Sequence, residues 1–519
     1  MKPFPVGVRP FNPDGTINDT TNGARRVTIP SPVSPFEPVI GLEIHAQLLT
    51  DTKIFCGCST RFGAEPNTAW CPVCLGLPGA LPVLNEAAVA LAIRASLALG
   101  CEVHDTSVFA RKNYFYPDLP KGYQITQYDR PLATRGRVIV TTEAGAVTLG
   151  ITRVHLEEDA GKSLHDGFPE SDVVTRLDFN RSGVPLIEIV SEPDLRSPAE
   201  AAAAFAAIRE ILVAIDANDG NMEEGSLRCD ANVSVRADSS APFGAKTELK
   251  NLNSFRHVER ALSFEIERQT AAIRNGERLE RETRLWDPVA GRSRSMRSKE
   301  DAEDYRYFPD PDLPPLHLSR EAIERVRQAM PELPQARRER FVREYALPPY
   351  DADVLTQSGA IADYFERVAH ASGNAKAASN WVMGDVLRKL KETKIADDAI
   401  PLTSDALAGL IRLLDAGQIT GPIAKDVFEK MFATGRSAAE IIAAEGLGRI
   451  ADTGQIDAQV RAVLDVNRAA VAEYRAGKTK TFGFLVGQVM KAMAGRADPA
   501  LVNDALRRAL LDTGGAASD

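Results

Sequence analysis

The hydrophobic rhythm of the chain changes once, near residue 310, and that change limits what it can fold into. From Val39 to about Asp310, apolar residues alternate with polar ones, and Gly, Pro, Asn and Asp break the runs. Period two marks strands with one buried face, so this half reads as a mostly antiparallel sheet. Helical periodicity interrupts it at residues 86–99, 197–216 and 255–276. Ser197-Pro198 with Glu200 supplies an N-cap followed by proline in the first turn. Beyond the proline-rich stretch 308–315, residues 319–511 are rich in Ala, Leu, Arg and Glu, with short Gly, Pro or Asp breaks. The expected fold is α+β. A flexible N-terminal extension (1–35) precedes a large, mostly antiparallel sheet domain with inserted helices and a zinc knuckle (36–318). A helical domain (319–445) and a small all-α tail domain (446–519) follow.

A chain of 519 residues, 44% of them hydrophobic, can bury several cores without disulfide staples. Its 62 Lys and Arg stand against 71 Asp and Glu. That excludes a wholly basic nucleic-acid coat and leaves room for local basic patches. The longest apolar stretch, around residues 201–215, is cut by Arg209 and Glu210, short of a membrane span. The first 38 residues contain no apolar signal-peptide core. A cytoplasmic protein with no membrane partner is expected.

Cys56-Gly57-Cys58 and Cys71-Pro72-Val73-Cys74 form two close pairs among turn-forming residues. Such pairs can wrap four thiolates around one tetrahedral zinc ion, and a site closed by four protein ligands is structural. A redox CxxC and four unrelated buried cysteines are the competing readings. Cys101 and Cys229 read as ordinary core residues.

Several strands carry a charged face, since residues two apart point the same way. In 39–48 these are Glu43, His45 and Gln47; in 186–192, Glu188 and Glu192. In 227–236 they are Arg228, Asp230, Asn232, Ser234 and Arg236; in 246–250, Lys246, Glu248 and Lys250. Glu157-Glu158-Asp159 closes another strand before Gly161-Lys162-Ser163. One solvated sheet face explains any one of these. Together they suit a site where carboxylates and a histidine hold a divalent cation and Lys and Arg meet phosphate. The chain has neither a GxxxxGK[ST] loop nor a GxGxxG turn after a strand, so the usual phosphate loops are absent. Arg111–Asp118 and Lys121–Ile125 interleave basic and aromatic residues. They read either as a nucleic-acid contact or as an aromatic loop packed on the sheet. Glu303–Pro309 has the same ambiguity with acid in place of base.

The runs Val39-Ile40-Gly41-Leu42-Glu43-Ile44-His45, Arg111–Asp118, His155–Lys162, Pro185–Asp194, Met222–Asp230, Glu248–Phe255 and Asp304–Pro309 resemble the B-subunit family of the aspartyl/glutamyl-tRNA amidotransferases. Tyr474–Lys478 with Gly483–Gln488 resembles the same family's C-terminal domain. The resemblance runs from Val39 to the C-terminus. It implies a ligase that forms a carbon–nitrogen bond with glutamine as amido donor. ATP phosphorylates the side-chain carboxylate of a misacylated Glu-tRNA(Gln) or Asp-tRNA(Asn), and ammonia then displaces the phosphate. It also implies a heterotrimer with an amidase (glutaminase) subunit and a small third subunit. No glutaminase is readable in this chain, so the ammonia would come from that partner. By this resemblance Glu43, His45, Glu158 and Glu188 are expected to bind Mg2+. Arg228, Asp230, Glu248 and Lys250 are expected around the nucleotide or acyl phosphate, with Lys162, Arg228 and Lys250 on ATP. The four-cysteine zinc knuckle occurs in only some members. Two other classes remain: a tRNA-independent ligase resembling glutamine synthetase, and a tRNA-binding scaffold without chemistry.

Overall fold

The computed structural model describes residues 36–297, 305–450 and 452–511. The expected N-terminal extension, Glu303, Asp304 and the end of the tail lie outside these residues. The sheet forecast from alternation is present as twelve strands. At its centre Glu37–Gln47 pairs antiparallel with Pro185–Ser191 on one side and Leu227–Arg236 on the other. Beyond Pro185–Ser191 come Gly145–Glu158, Tyr123–Gln127, Phe109–Asn113 and the short Phe308–Pro309. Beyond Leu227–Arg236 come Thr247–Lys250, then Glu282–Asp287 in the sheet's parallel pairing, then Arg292–Arg297.

One face of this sheet is the floor of the largest core. Ile40, Leu42, Ile44, Val154, Leu156, Ile187, Ile189, Cys229, Ala231 and Val233 all point into it, each at most 2% exposed. Helices Glu86–Ala98, Pro198–Ala214 and Phe255–Arg274 cover that face. Asn85, Ser197 and Ser254 cap their first turns, accepting otherwise unpaired backbone N–H groups. Alternation therefore turns Glu43, His45, His155, Glu157, Glu188, Arg228 and Asp230 to the opposite face.

The helical half has two cores of its own. One joins residues from Phe341 to Ile441, and the other joins Ile456 to Leu510. Helix Arg320–Gln328 begins at its Ser319 cap, where the sequence puts the helical domain, but its Ile323 and Val326 pack on the sheet domain's core together with Met330 and Leu333. By packing, the division falls after Leu333. Among the described residues no helix is long and apolar enough to cross a membrane.

Candidate functional site

Strand register puts the polar residues of the open face side by side. His45 lies directly opposite Glu188, and Glu188 lies opposite His155. Glu43 lies opposite Asp230. His45 Nε2 is 3.7 Å from Glu43, 3.5 Å from Glu188 and 4.0 Å from Glu157. His155 Nε2 is 3.3 Å from Glu188 and 3.6 Å from Glu157. Three overlapping sets of side chains lie close enough to share an ion: Glu43, His45 and Glu188; His155, Glu157 and Glu188; Glu43, Asp230 and Glu248. His155 Nδ1 is buried and has no hydrogen-bond partner among the described residues. This donor set of carboxylate oxygens and imidazole nitrogens fits a divalent cation such as magnesium or manganese.

Three of the four residues expected to bind magnesium converge here, and Glu158 does not. It follows Glu157 on the strand, so its side chain leaves by the opposite face. There it pairs with Lys121 and accepts the Ile125 N–H at 2.8 Å. It lines a separate cavity of about 160 Å³ beneath the knuckle, shared with Phe55, Cys74 and Tyr123. The cleft instead takes Glu157 and His155, which the expected ligand set lacks. Val154 and Leu156 point to the core, and this alternation in the sequence is enough to place both on the cleft.

Two cations of the face, Lys250 and Arg228, are already paired. Lys250 Nζ bridges Asp230 at 2.8 Å and Glu248 at 2.9 Å. Burial opposes its charge, but those two carboxylates raise its pKa. Arg228 donates to Asp159 at 2.9 Å, and Gln47 donates to the same carboxylate at 2.8 Å. A phosphate entering here would share these cations with their carboxylates. Lys162 is exposed on a separate two-stranded ribbon and forms no ion pair among the described residues. Glu192 follows a register shift at Val190/Ser191 and accepts the Thr152 hydroxyl at 2.8 Å.

The four cysteines of the knuckle meet within 4.8 Å of one another. Cys71 Sγ and Cys74 Sγ stand 3.9 Å apart, close to the edge of a tetrahedron with bonds of about 2.3 Å, so the cluster fits zinc. The side chain of Lys53 is fully buried beside it. Its Nζ donates to the carbonyls of Ala69 at 2.7 Å and Phe179 at 3.2 Å, and lies 3.7 Å from Cys74 Sγ.

The chain matches the family model described as the GatB/GatE catalytic domain over residues 38–324 and that described as the GatB domain over residues 363–510. The first of these alone spans more than half of it. The chain belongs to the GatB family. A relative in Myxococcus xanthus, named as an aspartyl/glutamyl-tRNA(Asn/Gln) amidotransferase subunit, is 54% identical over 481 residues, which is 93% of this chain and all of the relative. Proteins of the same name in Trichlorobacter lovleyi and Chlorobium phaeobacteroides are 54% and 52% identical, each covering 92% of this chain and 99% of the relative. The GatB/GatE match takes in nearly the whole sheet and the cleft, and the GatB-domain match most of the helical half.

The charges of this GatB cleft have a measurable consequence. Burial alone would lower the His155 pKa, but Glu188 and Glu157 overcome it and raise it to about 9. For Glu188 burial is opposed by the two histidines, which hold its carboxyl well below the usual range. A histidine with a folded pKa of about 9 and an unfolded one near 6.5 stabilises the fold fully below pH 6.5. The contribution falls as pH rises from there and is gone above about 9. In magnesium-free buffer the melting temperature should fall across this window, and in His155→Gln that component of the slope should vanish. Equal slopes in both proteins would show that His155 is not held protonated.

Proposed function

We propose that the chain is the GatB component of a tRNA-dependent amidotransferase and carries its phosphorylation and amidation site on the open sheet face. What supports this most is the meeting of Glu43, His45, Glu157 and Glu188 with Asp230, Glu248, Lys250 and Arg228 on one surface. The first reaction is attack of the side-chain carboxylate of Glu-tRNA(Gln) or Asp-tRNA(Asn) on the γ-phosphorus of ATP, releasing ADP. In the second, ammonia adds to the acyl carbon of the acyl phosphate. The carbon–oxygen bond breaks, phosphate leaves with the bonding electrons, and the nitrogen loses a proton.

Glu43, His45, Glu157 and Glu188 would hold Mg2+, which offsets charge on the phosphoryl oxygens when bound. Lys250 and Arg228, pinned by Asp230, Glu248 and Asp159, are pre-oriented to meet phosphate without reorganising. Without an ion, burial and then the neighbouring Glu188 raise the pKa of Glu43, a crowding of negative charge that a bound cation would offset. Ammonia would come from an amidase partner, with a small third subunit completing a cytoplasmic heterotrimer. The four cysteines would hold a structural zinc ion.

The test is a reconstituted complex given charged tRNA, ATP and glutamine. ATP hydrolysis should require misacylated tRNA, and amidated tRNA should accumulate. Amidation of free glutamate without tRNA would overturn this reading in favour of a glutamine-synthetase-like ligase.

The tail folds around its own core, so it can be removed as a unit. Arg475, Lys478 and Lys480 are exposed on it and suit phosphate contacts that position an RNA without reading its sequence. Deleting residues 446–519 should raise KM for charged tRNA about tenfold, the scale of a few phosphate contacts, and leave the partner's glutamine hydrolysis intact. An unchanged KM would show that the tail does not hold tRNA.

A further inference from the structure

The cleft has a wall that the reaction above leaves without a role. Five of the chain's ten tyrosines form one continuous ladder. Tyr116 meets Tyr114 edge-on at 5.9 Å, and Tyr114 meets Tyr305 the same way at 5.9 Å. Tyr305 meets Tyr307 at 6.0 Å, and Tyr307 lies flat on Tyr128 with 3.9 Å between centroids and 5° between planes. Two segments far apart in sequence build it. They are joined where Phe308 pairs with Arg111 and where the Asn113 N–H donates to the Tyr305 carbonyl at 2.9 Å.

The ladder borders the carboxylates. The strand leading to Tyr128 pairs Thr126 with Glu157, and the Thr126 hydroxyl donates to that carboxylate at 3.1 Å. The Tyr114 hydroxyl donates to Gln124 at 3.4 Å, whose amide donates to the Glu158 carbonyl at 2.8 Å. Burial raises the Tyr307 pKa, and so do the charges of Glu157 and Glu188. Both ends of the ladder are open: Tyr116 is 52% and Tyr128 44% exposed. Lys112 sits over the rings of Tyr305 at 4.8 Å and Tyr114 at 5.6 Å, and no carboxylate pairs with it among the described residues. By contrast its neighbour Arg111 is tied to Asp310 and Asp312.

Exposed aromatic faces beside an unpaired cation supply the two contacts a nucleotide offers, a π-face and a phosphate. We infer that the tyrosine ladder and Lys112 form a subsite for an adenine nucleotide at the edge of the cleft, the base stacking on the rings and its phosphate meeting Lys112. Both ATP and the 3′-terminal adenosine of a tRNA carry that group. The inference rests on the proposed reaction only for this choice of ligands.

Equilibrium binding to the reconstituted complex tests it without turnover. The probes are ATP, an intact tRNA and the same tRNA lacking its terminal adenosine. Tyr128→Ala and Lys112→Met should each weaken ATP or intact tRNA by about 5- to 100-fold, the range of one base–aromatic stack, while Tyr128→Phe stays close to wild type. Loss for ATP alone assigns the subsite to the nucleotide. Loss for intact tRNA, down to the level of the shortened one, assigns it to the tRNA end, and loss for both means that the two share it. Wild-type affinity for all probes in Tyr128→Ala and Lys112→Met, with unchanged melting curves, would overturn the subsite. If wild type binds as expected yet never amidates tRNA, the reaction fails and the subsite stands.

Discussion

Replacing Glu188 by Gln should lower amidation by the reconstituted complex about a hundredfold or more, the scale of losing one main electrostatic contributor to a transition state. Among the described residues Glu188 is the carboxylate nearest to both histidines of the cleft. It faces His45 on one neighbouring strand and His155 on the other, and it belongs to two of the three candidate ligand sets. Gln keeps the volume and one acceptor and removes the charge. The stability cost is bounded, because His155 can release its proton when its partner is neutralised. From its shift to about 9, holding the His155 proton is worth about 2 to 3 kcal/mol near neutral pH, shared between Glu188 and Glu157, so losing Glu188 removes only part of it. Melting should therefore fall by only a few degrees for a domain of this size, and activity measured well below the transition would report chemistry. The partner's glutamine hydrolysis should continue, so ammonia is made and lost. Glu43→Ala and His45→Ala should behave alike. Wild-type ATP turnover on misacylated tRNA in Glu188→Gln would remove this cleft as the phosphorylation site. Activity that falls only in step with melting would make any ion there a structural tie.

Much of this site is legible because the sheet alternates strictly where one face is buried. A one-residue slip of Leu227–Arg236 would bury Arg228 and Asp230 and expose Cys229 and Ala231, so its register is strongly specified. The same rule places Glu43 and His45 on one side and Ile44 on the other. The phase of Glu157-Glu158-Asp159 is legible only when the run is read back through Leu156 and Val154, which puts Glu157 on the cleft and Glu158 on the other face. The ion pairs of Lys250 and Arg228 are not legible, since they depend on which strands become neighbours. Nor is the tyrosine ladder: Tyr114 and Tyr305 are distant in sequence and meet only because Phe308–Pro309 adds to the sheet edge. Ser319 shows where a helix begins, but nothing local tells which core Arg320–Gln328 joins.

Replacing both Cys56 and Cys71 with Ser should remove zinc and lower the melting temperature on the order of 10 °C, as expected for losing several kcal/mol of metal-linked folding energy in a large domain. The knuckle reaches the cleft through a short chain of backbone bonds. The Ile54 N–H donates to Gly183 at 2.9 Å, and the Gly183 N–H donates to Asp159 at 2.8 Å. Asp159 holds Arg228, so a loosened knuckle should be felt there as a modest loss of amidation, smaller than that of Glu188→Gln. A closed thiolate site offers no position for substrate, which is why the effect must be indirect. Lys53 separates this from a mere packing role. A buried ammonium with two carbonyls and no carboxylate partner among the described residues needs a nearby negative charge, and a zinc ion held by four thiolates supplies one. Lys53→Met should therefore speed zinc transfer to a chromogenic chelator. Adding Cys58→His, which makes one ligand neutral, should restore part of the retention. Zinc analysis of carefully prepared wild type decides the premise: less than about half an equivalent would sink it, because a closed tetrathiolate site holds its ion tightly.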